Sequence, residues 1–215
     1  MLDNLRVPPL ARLWQPYVYF DTQVPRYFAV VKECGVLRAA FPRVRVVTGV
    51  QRELEAARPH VIQEGGDLCG LLDDPAWAEV EELTELKDIT AARALQCGMT
   101  SMAVLASHPL KNLGESETIV RSQQNHLPVV IEDGRAVRAA RGRNIAAYRA
   151  VHVCAMIALR ELRTPEDSWR LYGRLLDAGL QQRDQRAVAS DDATRGEFME
   201  IVEAGLIKRG RASFH

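Results

Sequence analysis

A chain of 215 residues, 47% of them apolar and 26% charged, can bury a sizeable core and is too apolar for wholesale disorder. Lysine plus arginine equals aspartate plus glutamate, 28 of each. No global field therefore draws the protein to nucleic acid or an anionic membrane, and any such binding needs a local patch.

Residues 1–16, with Pro8, Pro9 and Pro16, read as an extended lead-in to a buried first strand, "YVYF", which ends at Asp21. The stretch 25–42 has apolar residues at helical spacing and Pro42 as a stop. Val44, Val46 and Val47 then make a short strand, and Thr48 with Gln51 matches a capping box opening a helix that contains Glu53. The glycines and the Asp-Asp-Pro of 63–75 mark a loop.

From Ala76 to Leu86 a strand alternation, "AEVEEL", lies inside a helix-compatible composition, and a strand is expected. Residues 88–106 are helical with a break near Gly98, 107–114 a loop, and 115–125 a helix. "LPVVI" (127–131) is a buried strand ending at Glu132 and Asp133. A short helix over 135–142 and a strand over 144–148 follow.

The remainder is mostly helix. Thr164 and Pro165 mark a helix start, "LLDAGL" and "IVEAGL" give two glycine-terminated ends, and 181–196 is a polar linker. Alternating strands and helices predict an α/β fold with a mainly parallel sheet covered on both faces.

The four cysteines, Cys34, Cys69, Cys97 and Cys154, form no CxxC pair and no zinc spacing with histidine, so buried free thiols are expected. The longest apolar run, Val151–Leu159, is half a bilayer span, and the N-terminus lacks a signal pattern. A soluble cytoplasmic protein follows as the expectation.

Sites in open α/β sheets form beyond the carboxyl ends of strands. Asp21 and Asp133 fall there, while Glu53, Glu115 and Glu117 sit on helices that begin nearby. Taken singly, each acid reads as a turn former, a helix-start residue or a solvated carboxylate. Gathered at one sheet edge they would repel and need a cation, and oxygen-only ligation selects Mg²⁺ or Mn²⁺. Such ions suit attack of activated water on a phosphodiester.

The ordered set "FDTQV", "QRELEA", "LGESETIV" and "LPVVIEDGRAVRAA" resembles the PIN domain, a nuclease fold that includes VapC-type toxins. It is similar to the branch whose third motif is a Gly-Glu-x-Glu helix and whose fourth is an acid pair followed by Arg-Ala-x-Arg. The likeness spans Tyr17 to Tyr148. It implies a three-layer α/β/α PIN-like catalytic domain over 17–150 and a helical C-terminal extension over 151–215. By the resemblance Asp21 is the first metal ligand and Glu53 the second. The third is Glu115 or Glu117, with Glu117 preferred, and the fourth Glu132 or Asp133, Asp133 being the better match. Glu115 and Glu117, two apart on a helix, point to nearly opposite sides.

Thr22 stands where the family places a small hydroxyl residue that bonds water or phosphate, and Gln23 replaces the usual Asn. The glycine and threonine common after the fifth strand are missing. Arg135 and Arg138 share a helix face suited to phosphate, and Arg141, Arg143 and Arg149 extend the positive charge. A solvated, ion-paired helix face is the bland alternative. The expected activity is metal-dependent endoribonucleolytic hydrolysis leaving a 5′-phosphate, with RNA as substrate ahead of DNA. A small antitoxin and a homodimer are the partners the family implies. The rival expectation is a non-catalytic PIN-like binding module, in which arginines neutralise the acids.

Overall fold

The computed structural model describes residues 9–63, 68–70, 73–180 and 195–212. Five short strands, β1 (Val18–Phe20), β2 (Val44–Val47), β3 (Ala78–Glu81), β4 (Val129–Val130) and β5 (Ala147–Tyr148), form one sheet in the order β3-β2-β1-β4-β5. All ladders are parallel, with Val18 opposite Val44 and Tyr19 opposite Val129 at the centre. Parallel strands need helical crossovers that cover both faces, so their residues must be apolar on both sides. β1, β4 and β5 are buried throughout, whereas Glu79 and Val80 of the edge strand β3 are exposed.

The chain steps outward from β1 through β2 to β3, then crosses to the other side of β1 for β4 and β5. In open α/β sheets such a reversal is where ligands sit, in the crevice beyond the carboxyl ends of the strands, which here are the ends of β1 and β4.

Among the described residues ten α-helices accompany the sheet: α1 (Gln23–Val30), α2 (Cys34–Ala40), α3 (Thr48–Gln63), α4 (Leu86–Met99), α5 (Met102–Ser107), α6 (Leu113–Asn125), α7 (Gly134–Arg141), α8 (Ala150–Leu159), α9 (Pro165–Asp177) and α10 (Arg195–Ala212). The helix expected over 25–42 is two. Lys32 is left-handed (φ 59°), and the Lys32 and Glu33 amides fold back on Ala29 and Phe28 carbonyls, a Schellman closure without glycine. The same closure ends α6 at His126, α7 at Asn144, α8 at Glu161 and α9 at Gly179. The α4–α5 break falls at Thr100 and Ser101, where Ser101 caps α5 by accepting from the Val104 amide.

Three further expectations change. Cys34 and Cys69 are not free thiols but form a disulfide across 35 residues, a loop closure of the kind that stabilises by about 3–4 kcal/mol. The Thr48–Gln51 capping box does not form, because Thr48 is already helical and donates to the Glu81 carbonyl (3.4 Å) while Gln51 pairs with Glu55. The stop expected at Gly205 is absent, since α10 runs through it to Ala212. A Cβ there would lie 2.6 Å from the Leu159 side chain, so this glycine permits α10 to approach α8. Most of the linker expected over 181–196 lies outside the described residues.

One continuous core joins the sheet to the C-terminal helices. Every residue of α8 is buried, which explains its uniformly apolar sequence. Trp169 and Phe198, 5.4 Å apart between ring centroids, help seal α9 against α10. Among the described residues no helix is long and apolar enough to cross a membrane.

The one imidazole inside α8 sets a pH limit. His152 accepts from the Arg149 amide through Nδ1 (3.1 Å), and burial followed by the nearby Arg141 charge pulls its pKa down to about 3. The unfolded chain binds this proton near pH 6.5 and the folded chain does not, so stability is intact above pH 6.5 and falls as pH drops towards 3. The expected loss at pH 4 is on the order of 3 kcal/mol. His152→Gln keeps a helix-start acceptor without the titration, and urea unfolding at pH 7 and 4 should show a smaller acid penalty in the variant.

Candidate active site

Asp21 closes β1 and is buried at 1% exposure. Its Oδ1 accepts from the Gln23 (3.1 Å) and Val24 (3.4 Å) amides that begin α1, and its Oδ2 accepts from the Glu132 amide (3.0 Å) at the end of β4. The carboxylate therefore bridges the crevice at the sheet's reversal. Burial, then the Glu115 charge, raise its pKa well above the usual carboxylate range, although the amides oppose the rise.

Glu53 and Glu115 arrive on two helices that touch. A Cβ on Gly114 of α6 would meet Val50 of α3 at 3.2 Å and Glu53 Oε1 at 3.0 Å, and one on Gly49 would meet the Gly114 Cα at 3.0 Å. The glycines thus let α3 and α6 cross closely enough to bring their acids together. Glu53 Oε2 accepts from the Thr22 hydroxyl (2.6 Å). Glu115 is half-buried, its Oε2 enclosed and without a hydrogen-bond partner. Burial, followed by the charges of Glu53 and Asp133, pushes its pKa up to about 7.

Glu117, preferred as the third acid, points elsewhere. Its Oε2 accepts from the Gly49 amide (2.9 Å), capping α3 from a neighbouring helix, and Arg52 and Arg93 supply its cationic surroundings. Glu132 is also engaged. Arg149 donates Nε (3.0 Å) and Nη2 (2.8 Å) to Oε1, while the Ala150 amide donates to Oε2 (2.8 Å). Asp133 caps α7, with Oδ1 accepting from the Arg135 and Ala136 amides at 2.8 Å each.

The cationic residues divide between the site and the frame. Arg135 and Arg138 are exposed on α7, Arg135 in its first turn donating to the Met99 carbonyl (3.2 Å) and Arg138 in its last turn folding back to within 3.6 Å of the Cβ position of Gly134. Arg141 instead turns to the Ala147 carbonyl (3.2 Å) of β5 and belongs to the frame. Thr22 orients Glu53, and Gln23 contributes its main-chain amide to Asp21. Gly49, Gly114 and the pairing role of Arg149 escaped sequence reasoning. Only Gly114, directly before the glutamates, carried a signal.

The acids brought together are thus Asp21, Glu53, Glu115 and Asp133. Among the described residues no three His, Cys, Asp or Glu side chains are gathered tightly enough to hold an ion as they stand. The donor chemistry nonetheless fits a hard divalent cation: all-oxygen, with an enclosed and unpartnered Glu115 oxygen, and with the proton affinities of Asp21 and Glu115 raised by burial and then by neighbouring carboxylates. No family model, curated protein or solved structure matches the chain.

Proposed function

We propose that the chain is a divalent-metal-dependent nuclease of the PIN class that hydrolyses RNA. The observation carrying this reading is the placement of Asp21, Glu53, Glu115 and Asp133 around the crevice at the sheet's reversal, with one enclosed carboxylate oxygen lacking a partner. Asp21, held by three amides, is the anchor for Mg²⁺ or Mn²⁺, and Glu53, Glu115 and Asp133 complete the oxygen set. When bound, such an ion supplies charge neutralisation and activation of water at a phosphodiester. Glu53, oriented by Thr22, or another of these acids would take the proton of the attacking water, and Arg135 and Arg138 would meet the phosphates. An antitoxin and a second copy of the chain enter as partners through the resemblance alone, whereas the cytoplasmic setting rests on the sequence's lack of a signal pattern and of a long apolar run.

A second reading, a non-catalytic PIN-like binding module, is favoured by one observation: Arg149 neutralises Glu132 at the site's edge. Cleavage of labelled single-stranded RNA, structured RNA and DNA separates the two. Wild type with Mn²⁺ should cut RNA, with EDTA should not, and Asp21→Asn should lose about 100-fold or more of the rate. Equal cutting by wild type and variant, or no cutting by either, sinks the nuclease reading.

A further inference from the structure

Where the turns that follow α6 and α7 meet the short helical turn Leu10–Trp14, the surface holds a cavity of about 280 Å³. Buried Pro128 and Ala146, the residues leading into β4 and β5, form part of its wall. The cavity thus lies at the amino ends of these strands, whereas Asp21 and Asp133 follow the carboxyl ends of β1 and β4.

Its rim is cationic. Arg12, His126 and Arg143 line it and are exposed, and no carboxylate lines it, in a chain whose acids and bases are equal in number. Neither arginine makes an ion pair among the described residues. Arg143 donates Nη1 to the Ala139 carbonyl (3.1 Å), the ordinary use of a cation at a helix end. Arg12 belongs to neither helix, so that use does not account for it. Two helix C-termini supply about −0.5 charge each, and the two guanidiniums exceed them by about one unit. A second cavity, of about 290 Å³, is lined by Arg163, Asp167, Arg170, Leu171 and Arg174. Its arginines are already ion-paired to Glu33, Glu166 and Asp167, so their charge is satisfied within the fold.

We infer that Arg12 and Arg143 bind a phosphate dianion in the first cavity, free or as the monoester of a small molecule. Guanidinium forks match phosphate oxygens in pairs, which a point charge does not. The carboxamides of Gln15, Gln123 and Asn144 also line the cavity and offer donors and acceptors to the hydroxyls or ring edge of an ester. The volume lies at the small end of ligand sites, which run to about 300–1,000 Å³, and suits a sugar phosphate or mononucleotide.

The test is calorimetric titration of inorganic phosphate, ribose 5-phosphate, adenosine 5′-monophosphate and adenosine into the full chain, at low salt with EDTA in a phosphate-free buffer at pH 8. At least one phosphate-bearing probe should bind saturably, and adenosine should not. Arg12→Gln and Arg143→Gln should each weaken that binding about tenfold or more, while Arg170→Gln, in the second cavity, should leave it unchanged. Inorganic phosphate binding as tightly as the esters assigns the site to free phosphate, and tighter ester binding assigns it to a phosphomonoester. No saturable binding of any phosphate-bearing probe overturns the inference. So does adenosine binding as tightly as its monophosphate, binding undiminished in both Arg12→Gln and Arg143→Gln, or an equal loss in Arg170→Gln. None of these outcomes bears on the nuclease reading, whose acids lie at the other end of the sheet.

Discussion

Glu115→Gln is expected to abolish metal-dependent cleavage, and Glu117→Ala is expected to spare it. The two glutamates are two residues apart in a short motif, yet they serve different neighbours. Glu115 faces Glu53 and Asp133, and its enclosed oxygen lacks a partner. Removing its charge deletes a ligand and should lower the rate by about 100-fold or more. Glu117 holds the first turn of α3 through the Gly49 amide. Its truncation should cost about 1–2 kcal/mol through the lost cap, read as a fall in Tm of roughly 2–8 °C for a chain of this size. Cleavage by folded Glu117→Ala should remain within about threefold of wild type, since no charge facing Asp21 is touched. The reverse pattern would return Glu117 to the site.

Gly114→Ala should damage both stability and activity. The added methyl meets the Val50 side chain and main-chain nitrogen at 3.2 Å and Glu53 Oε1 at 3.0 Å. The nitrogen belongs to α3 and cannot give way without moving the helix, so the methyl separates α3 from α6 or displaces Glu53. Overpacking of this kind costs about 1–3 kcal/mol, partly offset by the roughly 1 kcal/mol helix preference of alanine over glycine. Mn²⁺ affinity should fall at least about tenfold because two ligands ride on the separated helices. Gly98→Ala is the matched control. Nothing lies within 4 Å of its Cβ position, so the variant should be neutral or stabilised by up to about 1 kcal/mol.

The central strands β1, β2 and β4 were legible because they obey a simple rule, valine-rich or aromatic runs that are largely buried and stopped by polar residues, whereas the exposed edge strand β3 was read from its alternation. Asp21 was legible for the same reason, as the acid that stops the central strand. Helix ends were less so. Lys32, His126, Asn144 and Glu161 take the left-handed conformation usually signalled by glycine, and their closures depend on amide geometry rather than residue type. The disulfide escaped because Cys34 and Cys69 meet only after α3 has returned along the sheet.

The division of labour between Glu115 and Glu117 illustrates a further limit. Helical spacing says that the two diverge but not which one faces the crevice, and that choice is made by the contact of Gly49 with Gly114. Glu132 shows the same dependence. In sequence it is a plausible ligand next to Asp133, and only the fold brings Arg149, 17 residues away, onto its carboxylate. The acid pair is thereby split between frame and site.

Calorimetric titration of Mn²⁺ into metal-free wild type and Asp21→Asn, at pH 8 where Glu115 is ionised, tests the central claim most directly. Wild type should bind saturably and the variant not at all or at least about tenfold more weakly, if Asp21 is the anchor proposed above. Saturable binding of equal strength in both proteins, or none in wild type, would contradict it.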